Sequence, residues 1–289
     1  MDLRSILMGM AFVIMWSSAF TSARMIVADA PPLTALALRF LLSGLIGVGL
    51  ARLMGQSWHL TPYQWRATAV FGICQNALYL GLNFIAMQNV EASLAAIIAS
   101  TMPLLVALAG WAVFGERIQP LGFAGLIAGV IGVTLIMGAR FQGGVDGVGI
   151  ALCTLGVISL TVATLAMRGA SAGGNLLMVV GLQMLVGSAV LAVPAILFEP
   201  FNVNWNLRLI AAFTYTTLVP GLAATLVWFM LVDRIGTVKA ATFQFLNPFF
   251  GVAVATLLLN ETLGPLDLVG VTIITGGILA VQLSKQKPQ

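Results

Sequence analysis

The carboxylate side chains are the groups in this chain best able to carry protons or hold cations, and none lies in the middle of an apolar stretch. The nine acidic residues are Asp2, Asp29, Glu91, Glu116, Asp146, Glu199, Asp233, Glu261 and Asp267. A membrane protein that exchanges protons for a cation usually needs an acidic residue buried within the hydrocarbon. These positions therefore argue against a proton-coupled cation exporter and against an intramembrane aspartyl protease.

Motifs for catalysis or ATP hydrolysis are absent from the sequence. It contains no His-Glu-x-x-His, no Gly-x-Ser-x-Gly and no Walker loop. The single histidine, His59, has no neighbouring residue that could share a metal ion with it. Cys74 and Cys153 lie in apolar stretches, which indicates small side chains buried in the membrane. We therefore expect no metal ion and no cofactor, and neither an enzyme nor an ATP-driven pump.

Polar, aromatic and proline residues near the middle of the apolar stretches are the candidates for a substrate path. They are Trp16, Ser17, Asn76, Tyr79, Asn83, Ser100, Met102, Pro103, Ser159, Thr217, Trp228, Gln244, Asn247 and Pro248. Each proline removes a hydrogen-bond donor from its helix and frees a carbonyl group, which in lipid needs a partner or a wet cavity. Tyr79 and Asn83 are four residues apart and share a helix face. The alternative is that the prolines and tryptophans only shape packing, while the serines and threonines bond the preceding turn or join helices.

The composition indicates that helices in a lipid bilayer position these residues. Hydrophobic residues make up 60% of the chain and charged residues 8%, with a mean hydropathy of +1.05, whereas a soluble domain carries roughly 25% charged residues. The net charge of +4 is thinly spread, so it indicates membrane topology and no nucleic-acid partner. Ten apolar runs are long enough to cross a bilayer: Ser5–Val27, Leu33–Leu53, Arg66–Met87, Ala92–Phe114, Leu121–Ala139, Val148–Met167, Leu176–Phe198, Leu207–Leu231, Thr237–Leu259 and Leu266–Leu283.

An internal repeat with an offset of about 145 residues organises these runs. The recurring pairs are Pro103 and Pro248, Glu116 and Glu261, Pro120 and Pro265, Gly125 and Gly270, and Gly132 and Gly277. Because each copy has five runs, an odd number, the second copy must be inverted relative to the first. The sequence therefore predicts an all-α integral membrane protein of ten transmembrane helices in two inverted five-helix repeats, residues 1–140 and 141–289.

Charged residues in the connections predict the orientation. With the N-terminus inside, the inner connections hold Arg4, Arg52, Arg66, Arg117, Arg168, Arg234, Lys239, Lys285 and Lys287, and the outer ones hold Arg140 and Arg208. Basic residues favour the cytoplasmic side, so both termini are expected in the cytoplasm. Arg24 and Arg39 lie near the outer ends of the first two runs, and they either extend to the interface or hold an anionic group of the substrate. Glu116 and Glu261 are each expected to cap the helix that follows them.

Small residues in the fifth and tenth runs allow helices to approach closely. Gly125 and Gly129 form one small-xxx-small pair, and Thr272 and Gly276 form another. We expect these pairs to serve packing within the chain and the protein to be a monomer. A dimer through the fifth and tenth helices is the alternative.

The pattern resembles the drug/metabolite transporter superfamily, specifically its ten-helix EamA-type metabolite exporters. The residues that carry the resemblance are Pro103 with Phe114-Gly115-Glu116 and Pro120, Asn247-Pro248 with Asn260-Glu261 and Pro265, and the opening Phe12-Val13-Ile14-Met15-Trp16-Ser17-Ser18-Ala19-Phe20. Within the family the chain looks most like exporters of aromatic and other neutral amino acids from the bacterial inner membrane. The resemblance implies a central cavity lined by helices one, three, four, six, eight and nine, which carry the candidates above. The two copies differ where Arg234 and Lys239 stand in place of Asn89 and Leu94.

Together these features predict an inner-membrane exporter of neutral and aromatic amino acids, and of similar small metabolites, that works by alternating access. A lining of aromatic, sulfur-bearing, hydroxyl and amide groups suits neutral zwitterions. The absence of a carboxylate from the middle of the runs indicates transport down the substrate's own gradient. One alternative is a transporter of nucleotide sugars or sugar phosphates, which need Lys or Arg at the site. The other is a membrane scaffold that transports nothing.

Overall fold

The structure is a computed structural model that describes residues 2–142, 144, 146–166, 174–236, 240 and 243–284. Within these residues all regular secondary structure is helical. We number the helices α1 (Leu3–Val27), α2 (Pro32–Leu53), α3 (Pro62–Ala86), α4 (Ala92–Phe114), α5 (Pro120–Gln142), α6 (Gly147–Ala166), α7 (Leu176–Phe198), α8 (the consecutive segments Leu207–Leu218, Val219–Ala223 and Ala224–Ile235), α9 (Phe243–Leu259) and α10 (Pro265–Ser284). In this part of the chain nine helices are long and apolar enough to cross a membrane, and α9 is a shorter apolar helix. The ten-helix prediction is confirmed, while four residues used to predict orientation lie outside the described residues: Arg168, Lys239, Lys285 and Lys287.

Prolines and left-handed residues determine where several helices begin and end. α2, α3, α5 and α10 each begin at a proline, because the first helical position needs no hydrogen bond from its N–H. α4 ends where Gly115 adopts a φ of 66°, and α9 ends where Asn260 adopts a φ of 54°. Glycine and asparagine tolerate this conformation best. Since Gly115 and Asn260 occupy equivalent positions in the repeat, the two copies end these helices in the same way.

The proline breaks predicted in the fourth and ninth helices are present. α4 consists of Ala92–Ser100 and Met102–Phe114, separated at Thr101. α9 consists of a 3₁₀ turn, Phe243–Leu246, followed by Asn247–Leu259. In both cases the proline stands at the second position of the later segment. A backbone N–H at this position would have no partner within that segment, so a proline there costs no hydrogen bond.

Two wider turns interrupt helices that the sequence pattern treats as regular. α3 is a π-helix over Gly72–Tyr79, and α8 is a π-helix over Val219–Ala223. These segments occupy equivalent places in the two copies. Pro220 accounts for the turn in α8 because it lacks the N–H that an α-helix requires. The turn in α3 contains no proline and coincides with a close contact, since a Cβ atom at Gly72 would lie 2.7 Å from the carbonyl oxygen of Gln183.

The chain forms two compact units, and each combines helices from both sequence copies. The first unit contains Met1–Thr21, Asn89–Ile150 and Ala223–Gln289, and the second contains Ser22–Gln88 and Ala151–Leu222. The boundaries between them fall inside α1, α6 and α8, and between α3 and α4. The repeat boundary between residues 140 and 141 is a division of the sequence and stays a prediction.

In the first unit, α5 packs antiparallel along α10 through glycines. A Cβ atom at Gly125 would lie 2.6 Å from the carbonyl oxygen of Gly277, and one at Gly132 would lie 2.8 Å from that of Gly270. Gly125 is equivalent to Gly270 in the repeat, and Gly132 is equivalent to Gly277. Gly125 therefore contacts the equivalent of Gly132, and Gly132 contacts the equivalent of Gly125. This self-matching antiparallel arrangement is what two inverted copies produce.

The small residues of α5 are thus used within the chain, as expected. Gly129 faces Leu104, whereas Thr272 and Gly276 are exposed on α10. The expectation that Thr272 and Gly276 serve packing within the chain is therefore wrong. The monomer and the alternative dimer through these helices both stay predictions.

In the second unit, α2 packs antiparallel along α7 in the same way. Ser188 donates its hydroxyl hydrogen to the carbonyl oxygen of Ala37 at 2.8 Å, and a Cβ atom at Gly44 would lie 3.0 Å from the carbonyl oxygen of Gly181. Because α2 and α7 are the second helices of their copies, this pair again relates equivalent elements in opposite directions.

The residues that follow α2 and α7 cap each other's helices. Glu199, just after α7, accepts hydrogen bonds from the backbone N–H groups of Leu33 and Thr34 at 2.7 Å each, at the start of α2. Gln56, just after α2, accepts one from the N–H of Met178 at 3.0 Å, near the start of α7. A helix N-terminus has unpaired N–H groups and favours negative charge, so both contacts stabilise the pair.

The expectation that Glu261 caps the helix after it is wrong. Its carboxylate instead accepts hydrogen bonds from the N–H groups of Ala92 and Ser93, at 2.7 and 2.9 Å, and so caps α4 in the other copy. Asp267 takes the expected place at α10, where it accepts from the N–H of Gly264 at 2.9 Å. The role as a helix cap was predicted correctly for Glu261, but the identity of the helix was not.

Replacing Glu199 with alanine is expected to lower the free energy of unfolding by about 1–3 kcal/mol, because two backbone N–H groups of α2 lose their acceptor. Thermal unfolding of the purified chain in detergent measures the change. Asp29→Asn is the matched control. In the part of the chain that the structure describes, the carboxylate of Asp29 bonds the side chain of Asn204 at an exposed place, and the asparagine that replaces it keeps an acceptor oxygen. Equal stability of the two variants would contradict the cap.

Candidate functional site

The predicted path residues fall into two groups, one in each compact unit. The first unit holds Trp16, Ser17, Ser100, Met102, Pro103, Trp228, Gln244, Asn247 and Pro248. The second unit holds Asn76, Tyr79, Asn83, Ser159 and Thr217. All of them lie within the described residues. The contacts of each residue show whether its polar group is used to join helices or is available to a ligand.

In the first unit, Ser17 and Asn247 bring α1 and α9 together beside the proline break. The hydroxyl of Ser17 lies 3.3 Å from the carbonyl oxygen of Asn247 and 3.4 Å from its side-chain Oδ1. Both distances are long for a hydroxyl donor, whose bonds are usually about 2.7–2.8 Å. Ser17 is buried and Asn247 half-buried. The pair is therefore a weakly held polar contact that a ligand could replace.

Aromatic rings lie next to this polar contact. Phe12 packs against Trp16 with a centroid distance of 5.6 Å and against Trp228 with one of 4.8 Å. Both tryptophans are half-buried, and they pack on a buried cluster that includes Phe12, Val13 and Leu231. The sequence pattern identified the two tryptophans but missed Phe12, whose ring contacts both. The one signal for Phe12 in the sequence is its position four residues before Trp16.

The remaining candidates of the first unit lie at the two helix breaks. Ser100 donates its hydroxyl hydrogen to the carbonyl oxygen of Ile97 at 2.6 Å, within its own helix. Pro103 and Pro248 are buried, while Met102 and Gln244 are half-buried. For Ser100 the local bond supports the structural alternative, in which the side chain bonds the preceding turn.

In the second unit, Tyr79 and Asn83 share a buried face of α3. Asn83 donates from Nδ2 to the carbonyl oxygen of Tyr79 at 2.8 Å, and a Cβ atom at Gly156 would lie 2.8 Å from the same Nδ2. The absent side chain of Gly156 thus makes room for the amide between α3 and α6. Oδ1 of Asn83 is buried and has no hydrogen-bond partner among the described residues. A buried amide oxygen without a donor is costly, so Asn83 is the amide best placed to accept a hydrogen bond from a ligand.

Asn76 and Ser159 hold the π-helical segment of α3 in place. Asn76 donates from Nδ2 to the carbonyl oxygen of Gln183 on α7 at 3.0 Å. Ser159 on α6 donates to the carbonyl oxygen of Cys74 at 2.9 Å. A π-helical turn leaves carbonyl groups without their usual partners, and Ser159 supplies one. Both residues therefore join helices, which is the alternative given for them above.

Thr217 lies beside the π-helical turn of α8 and near two residues that the site prediction left out. Its hydroxyl bonds the carbonyl oxygen of Phe213 at 2.7 Å, and its own carbonyl oxygen lies 3.3 Å from the hydroxyl of Ser43. Arg39, one turn before Ser43 on α2, is only 5% exposed. Extension of this side chain to the interface, one of the two accounts given above, is therefore wrong for Arg39.

Arg24, the other arginine near an outer helix end, has a local partner. It donates from Nη1 to the carbonyl oxygen of Met87, at the end of α3. Cations favour the C-terminal ends of helices, so the contact stabilises α3. Arg24 and Arg39 therefore differ in role, although the sequence pattern treats them alike.

Arg234, where the two copies differ, is paired at the ends of α1 and α8. Its guanidinium contacts the carboxylate of Asp2, and its Nε donates to the hydroxyl of Ser5 at 3.2 Å. The contact with Arg234 holds the pKa of Asp2 well below its usual range. Because both side chains are exposed, the pair contributes little to stability and fixes local geometry only.

Across the described ranges of the chain, ten helices in two inverted copies, some of them broken by proline, hold polar groups inside an apolar protein, and this defines a multi-pass membrane transporter. The chain belongs to the EamA-like transporter family, whose model matches residues 3–138 and 147–283. The two matched segments correspond to the two copies of the repeat.

Relatives and a solved structure agree with this assignment. The chain is 27% identical over 278 residues to an uncharacterized transporter, YvbV, of Bacillus subtilis, covering 96% of this chain and 90% of that protein. It is 25% identical to an uncharacterized inner membrane transporter, YedA, of Escherichia coli K12, covering 95% of this chain and 89% of that one. It is 31% identical over 140 residues to the aromatic amino acid exporter YddG of Ancylobacter novellus, covering 47% of each. A crystal structure with 22% identity has the same fold, with a TM-score of 0.71 over 98% of both chains.

Proposed function

We propose that this chain exports neutral and above all aromatic amino acids, with similar small metabolites, across the bacterial inner membrane by alternating access. The observation that carries the substrate class is the match to an aromatic amino acid exporter over 140 residues. The three aromatic rings of Phe12, Trp16 and Trp228 support it, since aromatic pairs favour offset or tilted packing at 4.5–7 Å and a substrate ring can join such a set. The chain is proposed to catalyse no chemical reaction and to need no cofactor.

The driving force proposed is the substrate's own gradient. Every acidic residue of the chain lies at or beyond a helix end, within the first or last turn, or in a connection. A carboxylate at half depth, which could take up a proton in exchange for substrate, is not among them.

The experiment that tests the export proposal is growth of a bacterium that overproduces the chain in the presence of toxic aromatic amino-acid analogues. The proposal expects protection, together with a lower intracellular level of the labelled analogue. The comparison is the same chain carrying Asn247→Leu, which should protect less because its transport is expected to be about tenfold slower. A scaffold that transports nothing would give no protection with either chain.

The alternative of a sugar-phosphate or nucleotide-sugar transporter has one observation in its favour, the buried Arg39. Arg24 does not add to it, because it is bound to the end of α3. Exchange of labelled sugar phosphate, but not of amino acids, by reconstituted protein would favour this alternative.

Both termini are proposed to lie in the cytoplasm. A fluorescent protein fused after Gln289 is expected to be fluorescent, and alkaline phosphatase fused at the same place is expected to be inactive, because each matures on one side of the membrane only. The control is the same pair of fusions placed after Gly144, between α5 and α6, where the results should be reversed. Active phosphatase at the C-terminus would contradict the orientation.

A further inference from the structure

Arg39 carries a positive charge inside the second unit, about two turns from the start of its helix. It is the eighth residue of α2, so it lies about 10 Å along the axis from the first residue of that helix, at 1.5 Å per residue. Its side chain is 95% buried by the residues around it. A charged group at such a depth is costly unless a partner of opposite charge or several hydrogen bonds compensate it.

No acidic residue of the second unit is available as that partner. The unit contains two, Asp29 and Glu199. Asp29 is bound by the side chain of Asn204 at 3.0 Å, and Glu199 is bound by the start of α2. Nε of Arg39 is buried and has no acceptor within hydrogen-bonding distance in the described chain. The ring of Phe40, 5.1 Å from the guanidinium carbon, compensates part of the charge at most.

Gly221 lets the backbone of α8 come close to the guanidinium. A Cβ atom at Gly221 would lie 3.7 Å from Nη2 of Arg39, 3.4 Å from the hydroxyl of Ser43 and 3.1 Å from the carbonyl oxygen of Thr216. Gly221 belongs to the π-helical turn that follows from Pro220, so its backbone faces α2 without a side chain. Among the described residues, the hydroxyl of Ser43 has one hydrogen-bond contact, the long 3.3 Å one to the carbonyl oxygen of Thr217, and it can rotate. A guanidinium and a hydroxyl thus both lie against this turn of α8.

We propose that Arg39 and Ser43 bind the carboxylate of the transported substrate. A guanidinium bonds a carboxylate through two parallel N–H donors, and these charge-assisted bonds are about twice as strong as neutral ones. The proposal rests on the proposed function for the identity of the substrate as an amino acid. It assigns a specificity: the site accepts amino acids and rejects the corresponding amines, which lack the carboxylate.

The test is the binding of L-phenylalanine and of phenethylamine to the purified full chain in detergent, measured by ligand-dependent thermal stabilisation. Wild-type protein is expected to bind phenylalanine and to give no stabilisation with the amine. Arg39→Met should weaken the binding of phenylalanine at least ~30-fold, since one member of a buried charge pair is removed. Arg39→Lys keeps the positive charge but loses the two parallel donors. Its affinity for phenylalanine should lie between those of wild-type protein and Arg39→Met. Ser43→Ala should cost about threefold to tenfold.

The control is Arg66→Met, the same change at an exposed place on the predicted inner side, which should bind as wild type does. Arg39→Met with unchanged affinity would overturn the proposal, and so would equal binding of phenylalanine and phenethylamine by wild-type protein. Stabilisation of wild-type protein by anionic lipid alone, lost in Arg39→Met, would overturn it in favour of a lipid phosphate.

Failure of the proposed function is distinguishable from failure of this site. If wild-type protein binds phenylacetate through Arg39 but exports no amino acid, the carboxylate site stands and the export proposal falls. If wild-type protein exports phenylalanine and Arg39→Met does so with the same KM, the export proposal stands and the site falls.

Discussion

Replacing Gly277 with alanine is expected to destabilise the protein by about 1–3 kcal/mol, whereas the same change at Gly276 should have little effect. A Cβ atom at Gly277 would lie 2.6 Å from the carbonyl oxygen of Gly125 and 3.0 Å from the backbone nitrogen of Gly129. Backbone atoms cannot rotate away, so α5 and α10 must separate. Overpacking of this kind typically costs 1–3 kcal/mol.

Thermal unfolding in detergent, and the amount of folded protein in the membrane, measure the difference. Gly276 is the matched control because it is the neighbouring glycine on the same helix and a Cβ atom there meets nothing within 4 Å. Alanine also favours helix formation over glycine by about 1 kcal/mol, so Gly276→Ala should be neutral or slightly stabilising. Equal loss of folded protein in both variants would contradict the glycine contact between the two copies.

Replacing Asn247 with leucine is expected to lower transport of aromatic amino acids about tenfold, the effect of losing hydrogen bonds worth about 1.4 kcal/mol to a bound substrate. The side chain lies at the break in α9, and its Oδ1 meets the hydroxyl of Ser17 at a long 3.4 Å, so its amide is available to a ligand. Uptake of labelled phenylalanine into proteoliposomes measures the rate, with the amount of reconstituted protein held equal.

Ser100→Ala is the control for Asn247→Leu. Ser100 lies at the equivalent break in α4, but its hydroxyl is committed to Ile97 within the same helix. Its loss should change transport less than twofold. A larger effect at Ser100 than at Asn247 would show that the described contacts do not identify the residues that meet the substrate.

The architecture could be predicted from the sequence because each of its causes is local. A run of apolar residues specifies a membrane helix by itself, and the predicted bounds of α7, Leu176–Phe198, are those of the structure. The breaks at Pro103 and Pro248 were predictable for the same reason, since the missing N–H belongs to the proline. The inversion followed from the number of runs in each copy, and the antiparallel packing of α5 with α10 agrees with it.

The site could be predicted only in part, because the deciding contacts join residues far apart in sequence. Glu261 caps a helix 169 residues away, and no local pattern identifies that helix. The π-helical turn in α3 accompanies a contact of Gly72 with α7 that spacing does not reveal. Arg39 is visible in the sequence as an arginine in an apolar run. Its position along the helix does not show whether it lies on the face that packs against other helices. Its burial involves α8, where Gly221 lies close to its Nη2.

Two inverted copies of five helices are proposed to move a zwitterionic aromatic amino acid down its own gradient. Efflux of labelled phenylalanine from proteoliposomes that contain the purified full chain tests this proposal. We expect efflux well above that of protein-free vesicles, at a rate that an imposed pH gradient leaves unchanged. Efflux no faster than from protein-free vesicles, or strong acceleration by the pH gradient, would contradict it.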